Sequence, residues 1–187
     1  MEQRSGRKSD VQIWDFGEFL HNWSIAYVSF AGVRTLGFSP EGNLLASGSD
    51  DGMVKLWSFP EGKEIFTLKH TDRVWFVSFS PKGNYLASGS EDGRAKIIDV
   101  KRLKLIAELR HNSGIWQIIF SPDEELLAFG AYQEVHIWAL RKRKILDNLY
   151  HSHWVNSVSF SPDGNFLTVG LENGTIKVWR IERRIWK

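Results

Sequence analysis

Residues 38–57 read FSPEGNLLASGSDDGMVKLW, and three later stretches of the chain repeat the same pattern. They are FSPKGNYLASGSEDGRAKII at 79–98, FSPDEELLAFGAYQEVHIW at 120–138 and FSPDGNFLTVGLENGTIKVW at 160–179. The phenylalanines that open them, at 38, 79, 120 and 160, are separated by 41, 41 and 40 residues. A constant period near 40 residues indicates an array of similar structural units, each made of one small set of secondary-structure elements.

Each unit has the pattern of short β-strands separated by tight turns. Ser-Pro after the phenylalanine ends a first strand, because proline has no N–H to donate to a sheet. A second, apolar strand is predicted at 44–47, 85–88, 126–129 and 166–169. Hairpin turns to a third strand are predicted at Asp51-Gly52, Asp92-Gly93 and Asn173-Gly174. A fourth strand at 65–68, 105–109 and 145–149 completes the four antiparallel strands of a propeller blade.

These units resemble the WD-repeat (WD40) β-propellers, and the resemblance covers nearly the whole chain. It is carried by the tryptophan at the third strand's end and the acid after it, in Trp14-Asp15, Trp57, Ile98-Asp99, Trp138 and Trp179. The family's histidine position holds His70, His111 and His151. The resemblance implies an all-β propeller arc of about four blades, at about 29–69, 70–110, 111–150 and 151–187. Residues 1–28 are predicted to hold the third and fourth strands of a preceding blade.

Four blades are fewer than the seven or so that usually close a propeller of this family. The pattern therefore predicts an incomplete ring, with an apolar flank and unpaired strand edges at each end. Two occupants could cover those flanks: further blades of the same propeller, or a second copy of the chain. The start of the chain in the middle of a repeat favours the first.

Histidine, serine and aspartate recur in these units and could suggest a hydrolase triad. In similar propellers, however, His, Ser or Thr, Asp and Trp form a buried hydrogen-bonded tetrad that fixes the packing of a blade. The residues at these positions are Ser47, Asp51, Trp57, His70, Ser88, Asp92, His111, Trp138, His151, Asn173 and Trp179. No unit keeps all four, because Ser29 replaces a histidine, Ile98 replaces a tryptophan, and Phe129 and Val169 replace serines. We therefore expect structural hydrogen bonds here and no catalytic residues.

Composition restricts the remaining function classes. The chain is 42% hydrophobic and 25% charged, which is typical of a globular protein, and its formal net charge is +2. It has no apolar run long enough to span a membrane, no secretory signal pattern and no cysteine, so a cytoplasmic location is expected. His151 and His153 alone are a weak metal signal, and no phosphate-binding loop is present. We predict no metal, no cofactor and no enzymatic activity.

A partner-binding surface is predicted on the mouth of the propeller. In similar propellers the residues four and six positions before the repeat phenylalanine lie on that face. Here they include Arg34, Arg73, Trp75, Trp116, Trp154 and Asn156. Trp and Arg are enriched in binding hot spots, so these residues predict a non-enzymatic scaffold for a protein or peptide partner. The alternative is that the tryptophans only pack against neighbouring blades.

The opposite rim supports a different function. Its predicted loops carry Lys101, Arg102, Lys104, Arg141, Lys142, Arg143, Lys144, Arg180, Arg183 and Arg184. Such an arc could attract nucleic acid or an anionic surface. The same face also carries Glu41, Asp123, Glu124, Glu125 and Asp163, and no aromatic residue is interleaved to stack on bases. A solvated rim is therefore preferred to nucleic-acid binding. A third alternative is that the chain is the scaffold portion of a larger multidomain regulatory protein.

Overall fold

The computed structural model describes residues 9–13, 23–29 and 31–182, which contain seventeen β-strands and no helix. The strands are β1 Ser9–Ile13, β2 Trp23–Ser29, β3 Val33–Phe38, β4 Leu44–Ser49, β5 Met53–Ser58, β6 Glu64–Lys69, β7 Val74–Phe79, β8 Tyr85–Ser90, β9 Arg94–Asp99, β10 Lys104–Arg110, β11 Ile115–Phe120, β12 Leu126–Ala131, β13 Glu134–Ala139, β14 Lys144–Tyr150, β15 Val155–Phe160, β16 Phe166–Leu171 and β17 Ile176–Arg180. The predicted Trp14-Asp15 pair, Arg183 and Arg184 lie outside the described residues.

The strands form antiparallel sheets in chain order, one for each repeat. Blade 1 is β3 to β6, blade 2 is β7 to β10, blade 3 is β11 to β14, and blade 4 contains β15 to β17. Separately, β1 pairs with β2. The inner strands β3, β7, β11 and β15 contact one another in succession, so the blades follow each other as an open arc. The prediction of an all-β propeller arc with about four antiparallel blades is confirmed.

The hydrophobic core lies between blades rather than within any one of them. Side chains on a strand point alternately to its two faces, so each blade packs on both neighbours. In β9, Ala95 and Ile97 pack against blade 3 with Ile115, whereas Ile98 packs against blade 1 with Leu56. A third cluster joins blades 3 and 4. Each blade is therefore held mainly by the blades beside it.

Backbone hydrogen bonds join each hairpin turn to the chain that enters the next blade. The N–H of His70 donates to the carbonyl of Gly52 at 2.8 Å, and that of His111 donates to the carbonyl of Gly93 at 2.7 Å. In blade 3, whose turn lacks the Asp-Gly pair, Gln133 accepts the same bond from His151 at 2.8 Å. The hairpin turn of each of these blades thus positions the histidine that follows it.

The turn after Ser-Pro needs a residue with positive φ in every blade. Gly42, Gly83 and Gly164 supply it with φ near 70°. Glu124 takes this place in blade 3 with φ 62°. Its carboxylate accepts hydrogen bonds from the backbone of Lys82 at 2.6 Å and from the amide of Asn84 at 2.8 Å, both in blade 2. Glu124 is therefore a bridge between blades and not a free charge of the rim.

Apolar side chains are exposed on the outer faces of blades 1 and 4. Leu36 and Phe38 are about half exposed on blade 1, and Ile176 and Val178 are 74% and 60% exposed on blade 4. In blades 2 and 3, side chains at the equivalent positions are buried against a neighbouring blade. Within the described part of the chain, no helix has the length and apolar character that crossing a membrane requires.

Candidate interaction site

A β-bulge at the start of each inner strand turns one side chain out of the regular alternation. The pairing register shifts between Val33 and Thr35, and the same shift recurs at the matching position of the other three blades. The extra residues are Arg34, Trp75, Trp116 and Asn156. A bulged residue is left unpaired and its side chain is re-aimed, so the predicted mouth residues four positions before the repeat phenylalanine have a shared structural origin.

Three of the re-aimed side chains stack across the blades, and two aromatic residues outside the bulges extend the stack. The guanidinium of Arg34 lies 5.3 Å from the ring centre of Trp75, which is stacked on Trp116 at 5.9 Å with an interplanar angle of 16°. Trp154 meets Trp116 edge-on at 5.9 Å, and Tyr132 lies 5.1 Å from Trp154. We call Arg34, Trp75, Trp116, Trp154 and Tyr132 the aromatic ladder. Cation–π and aromatic contacts at such distances are attractive, so the ladder also links the inner strands of blades 1 to 3 and, through Trp154, the loop that enters blade 4.

Acidic residues of the hairpin turns fix one end of the ladder. Asp50 accepts two hydrogen bonds from Arg34, at 2.7 and 2.9 Å, and Arg73 lies 3.9 Å from the same carboxylate. Glu91, at the matching position of blade 2, accepts a hydrogen bond from the indole N–H of Trp75 at 2.6 Å. The guanidinium and the first indole are thus held in fixed orientations before any partner arrives.

Much of the ladder faces solvent despite its internal contacts. Trp116 is 43% exposed, Tyr132 is 46% exposed and Asn156 is also exposed. The tryptophans therefore do both things that the sequence left open: they pack across blades and they present aromatic surface. Tyr132 was not predicted as part of this site. It occupies the position of Asp50 and Glu91 in the irregular third turn, with φ 48°, and only alignment of the four turns could have revealed it.

Blade 2 contains the most complete of the predicted tetrads. The ring of His70 is fully buried; its Nε2 lies 2.8 Å from Ser88 Oγ and its Nδ1 lies 3.2 Å from both oxygens of Asp92. Asp92 also accepts hydrogen bonds from the backbone N–H groups of Thr71 and Arg94, each at 2.9 Å. Burial lowers the pKa of His70 by more than Asp92 raises it. Burial raises the pKa of Asp92, but its hydrogen bonds and His70 lower it further, so its net pKa lies below the usual range.

The predicted tetrad residues of blade 1 form two separate groups among the described contacts. The indole of Trp57 donates to Ser47 Oγ at 3.1 Å. Asp51 accepts hydrogen bonds from the Ser49 hydroxyl at 2.7 Å and from the N–H of Met53 at 2.9 Å. The first bond fastens the third strand to the second, and the second group closes the hairpin turn.

The corresponding residues of blades 3 and 4 are not joined as tetrads in the part of the chain that the structure describes. In blade 3 the indole N–H of Trp138 is buried without a partner, because Phe129 stands where Ser47 accepts the same bond. In blade 4 His151 meets Trp179 edge-on at 5.2 Å, and both its ring nitrogens are buried without a hydrogen-bond partner. Asn173 closes its own turn by accepting a bond from the N–H of Thr175 at 3.1 Å.

These buried histidines predict a loss of stability in mild acid. Burial lowers the pKa of His70 and is also the main cause that lowers the pKa of His151. The unfolded chain therefore binds more protons than the native chain once the pH falls below the ordinary histidine pKa of about 6.5. The stability of the wild type should accordingly decrease from pH 7.5 to pH 5.5.

Urea denaturation at the two pH values measures this effect. The His70→Gln variant should show a smaller decrease than the wild type, because it lacks one of the buried histidines. An equal midpoint at both pH values, or an unchanged decrease in His70→Gln, would contradict the assignment.

His111 has a different partner from His70. Its Nε2 lies 3.3 Å from Glu134 Oε2, and His136 Nε2 lies 3.2 Å from the same oxygen. The sequence pattern placed His111 in a tetrad and pointed to neither Glu134 nor His136. One donor atom from each of the three side chains lies within 4.8 Å of the others.

The basic rim is exposed but partly paired. Residues 141–144 are all exposed, as are Lys101 and Lys104. Arg102 donates to the carboxylate of Asp99 at 2.6 Å, and this pairing, chiefly through its hydrogen bond, lowers the pKa of Asp99. Arg143 takes positive φ at the turn where blade 1 has Gly62. Arg102 is thus paired within the chain, and a solvated rim stays the preferred prediction over a nucleic-acid interface.

Comparison with known proteins gives a match over most of the chain. Residues 32–186 match the family model described as the IFT122 first beta-propeller. Shorter stretches are similar to three curated proteins. A small ribosomal subunit protein RACK1 of Caenorhabditis elegans is 38% identical over 63 residues, 33% of this chain and 19% of that protein. The cross-pathway control WD-repeat protein 2 of Flammulina velutipes is 34% identical over 65 residues, 34% of this chain and 20% of that protein.

The ribosome biogenesis protein ERB1 of Ajellomyces capsulatus is 48% identical over 40 residues, which are 21% of this chain and 5% of that protein. The matched stretches thus span about a fifth or less of the length of these curated relatives.

Proposed function

The chain belongs to the WD-repeat β-propeller family, in the group of the IFT122 first beta-propeller, and we propose that it is a non-enzymatic scaffold that binds a protein or peptide partner on its mouth face. The observation that carries this proposal is the aromatic ladder. It places three tryptophans, a tyrosine and an arginine on one face, held by four consecutive blades.

The composition and rigidity of the ladder support binding. Trp, Tyr and Arg dominate binding hot spots, because they combine a large contact area with a polar handle. These residues are attached to strands or to tight turns, and Arg34 and Trp75 are already hydrogen-bonded to acids of the scaffold. Little side-chain freedom remains to be lost on binding, which lowers the entropic cost of association. A partner that inserts apolar or aromatic side chains beside Trp116 would find an oriented surface.

The buried position of the histidines supports a scaffold rather than an enzyme. The side chain of His70 has no exposed surface, so a substrate cannot reach it, and its polar contacts go to Ser88 and Asp92. We assign this group to stability. A cytoplasmic location is part of the same proposal.

The exposed apolar faces of blades 1 and 4 suggest a second kind of partner. They have the composition of faces that other blades bury, and we propose that further blades of the same propeller or a second copy of the chain covers them.

The double variant Trp75→Ala/Trp116→Ala tests the mouth-face proposal. We expect it to bind the partners captured by the wild type at least about 30-fold more weakly, because two adjacent hot-spot side chains are removed. The measurement is affinity capture followed by titration of the recovered partner. Tyr150→Ala is the matched control, since Tyr150 is a 68% exposed aromatic residue outside the ladder. Equal recovery by the double variant and the wild type would show that partners bind elsewhere.

A further inference from the structure

Blade 3 departs from the other blades at one position of its third strand. The residue three before the end of that strand is Lys55 in blade 1, Lys96 in blade 2 and Lys177 in blade 4, but it is His136 in blade 3. Lys96 extends to donate to the carbonyl of Lys69 at 2.6 Å. An imidazole cannot reach as far, and its nitrogens offer ligand chemistry that an ammonium lacks.

His136 is oriented by a neighbour on the adjacent strand. Its Nδ1 lies 2.6 Å from Asn148 Oδ1 on β14, and Phe129 stacks on its ring at 4.8 Å. Because the amide oxygen is only an acceptor, Nδ1 carries the proton and donates it. In the neutral ring, Nε2 then carries no proton and has a free lone pair. A hydrogen bond from the second ring nitrogen to a carbonyl-type oxygen is the usual way in which a metal-binding histidine is held.

The lone pair of His136 points at another acceptor. The residue is only 6% exposed, and Nε2 lies 3.2 Å from Glu134 Oε2 without hydrogen-bond geometry, unpartnered among the described residues. Two lone pairs in such proximity repel each other unless a positive charge lies between them.

The third group completes a familiar donor set. His111 approaches the same carboxylate oxygen from the blade entrance, with Nε2 at 3.3 Å, and its Nδ1 lies 3.2 Å from the carbonyl of Ser113. The backbone N–H of Ser113 donates a hydrogen bond to the same Nδ1 at 3.0 Å, so ligation through Nε2 would require Nδ1 to carry the proton and to donate to the carbonyl instead. Ligands of a tetrahedral zinc ion, at about 2.0–2.2 Å from the metal, lie roughly 3.4 Å from one another. The two distances to Glu134 agree with that spacing.

From this geometry we propose that His111, Glu134 and His136 form a binding site for Zn²⁺ or a similar divalent transition metal. Two imidazoles and a carboxylate are a donor set that zinc prefers, whereas Mg²⁺ prefers oxygen ligands alone. The three side chains border an open cavity of about 560 Å³, which leaves a fourth coordination position for water or for a side chain of a bound partner. The metal would join the entrance of blade 3 to its third strand, where blade 2 has its tetrad.

Calorimetric titration of the purified chain with Zn²⁺, after chelator treatment, tests the proposal. We expect one zinc ion per chain and a zinc-dependent rise in melting temperature, with no rise for Mg²⁺ at the same concentration. Co²⁺ should give the visible absorption of a four-coordinate site. No saturable zinc binding would overturn the proposal.

Variants locate the site. Glu134→Gln keeps the size of a partly exposed side chain and should weaken zinc binding at least about 100-fold, and His136→Ala should do the same. Asn148→Ala removes only the orienting bond and should weaken binding about 10- to 100-fold. His153→Ala is the control, since His153 is exposed and outside the cluster. Binding that survives Glu134→Gln, or that is lost in His153→Ala, would place the zinc ion elsewhere and refute the assignment.

Discussion

Replacing Gly52 with alanine should destabilise the fold by about 2–4 kcal/mol, because the substitution combines backbone strain with a backbone clash. Gly52 has φ +80°, a conformation that costs L-residues about 1–2 kcal/mol. A Cβ atom there would also lie 2.7 Å from the carbonyl oxygen of His70 and 3.0 Å from that of Asp72. Both oxygens belong to the loop that enters blade 2, so relief of the clash must displace the neighbouring blade. The midpoint of urea denaturation measures the cost.

Gly174→Ala separates the two contributions. Gly174 has φ +83° at the matching turn of blade 4, but no described atom lies within 4 Å of the position that an alanine methyl would occupy there. Alanine at 174 should therefore cost only the backbone strain, about 1–2 kcal/mol. An equal loss in the two variants would show that the contact with the His70 loop is unimportant.

Replacing Asp92 with alanine should cost about 2–4 kcal/mol, because the buried His70 and two backbone N–H groups lose their acceptor together. The ring of His70 keeps Ser88 but loses the carboxylate, and the N–H groups of Thr71 and Arg94 are left without their bonds. An unpaired buried polar group costs about 1–3 kcal/mol, and each further net hydrogen bond contributes about 0.5–1.5 kcal/mol. Thermal or urea denaturation at pH 7.5 gives the value.

Two controls make this result interpretable. Asp92→Asn retains one amide oxygen as an acceptor and should lose less stability than Asp92→Ala. Asp72→Ala removes an exposed carboxylate from the same loop and should change stability by no more than about 0.5 kcal/mol. If Asp92→Ala has the denaturation midpoint of the wild type, Asp92 does not support His70.

The fold was predictable because the same pattern of strands and turns occurs in the sequence of every repeat. The predicted second strand at 44–47 lies within the observed Leu44–Ser49, and the predicted fourth strand at 105–109 lies within Lys104–Arg110. The observed strands extend one or two residues beyond the predicted ones, because sheet pairing continues past the apolar positions into polar ones such as Ser49. The local sequence locates a turn more precisely than it locates the last hydrogen-bonded residue of a strand.

The interaction site was less predictable, because it depends on contacts between blades. The sequence placed Trp75 and Trp116 at equivalent positions, but only the bulges and the spacing of the inner strands bring their rings into a stack. Tyr132 lies in the turn that departs from the repeat, and Glu134 opens the strand that follows it, so the pattern of a single blade predicts neither as a site residue. His136 could not be predicted from its own blade, since a single histidine among lysines is visible only when the third strands are compared directly.

The hydrogen bonds between each hairpin turn and the next blade have a consequence for how the chain unfolds. Gly52 holds His70, Gly93 holds His111 and Gln133 holds His151, so each of these three seams joins one blade to the blade that follows it. In such a linear array the free energy is a sum of blade terms and nearest-neighbour coupling terms. The apolar clusters lie between blades as well, so these hydrogen bonds and the clusters together couple each blade to its neighbours. A defect in the turn of blade 1 should therefore be detected first as faster amide hydrogen exchange in blade 2, one repeat away from the substitution.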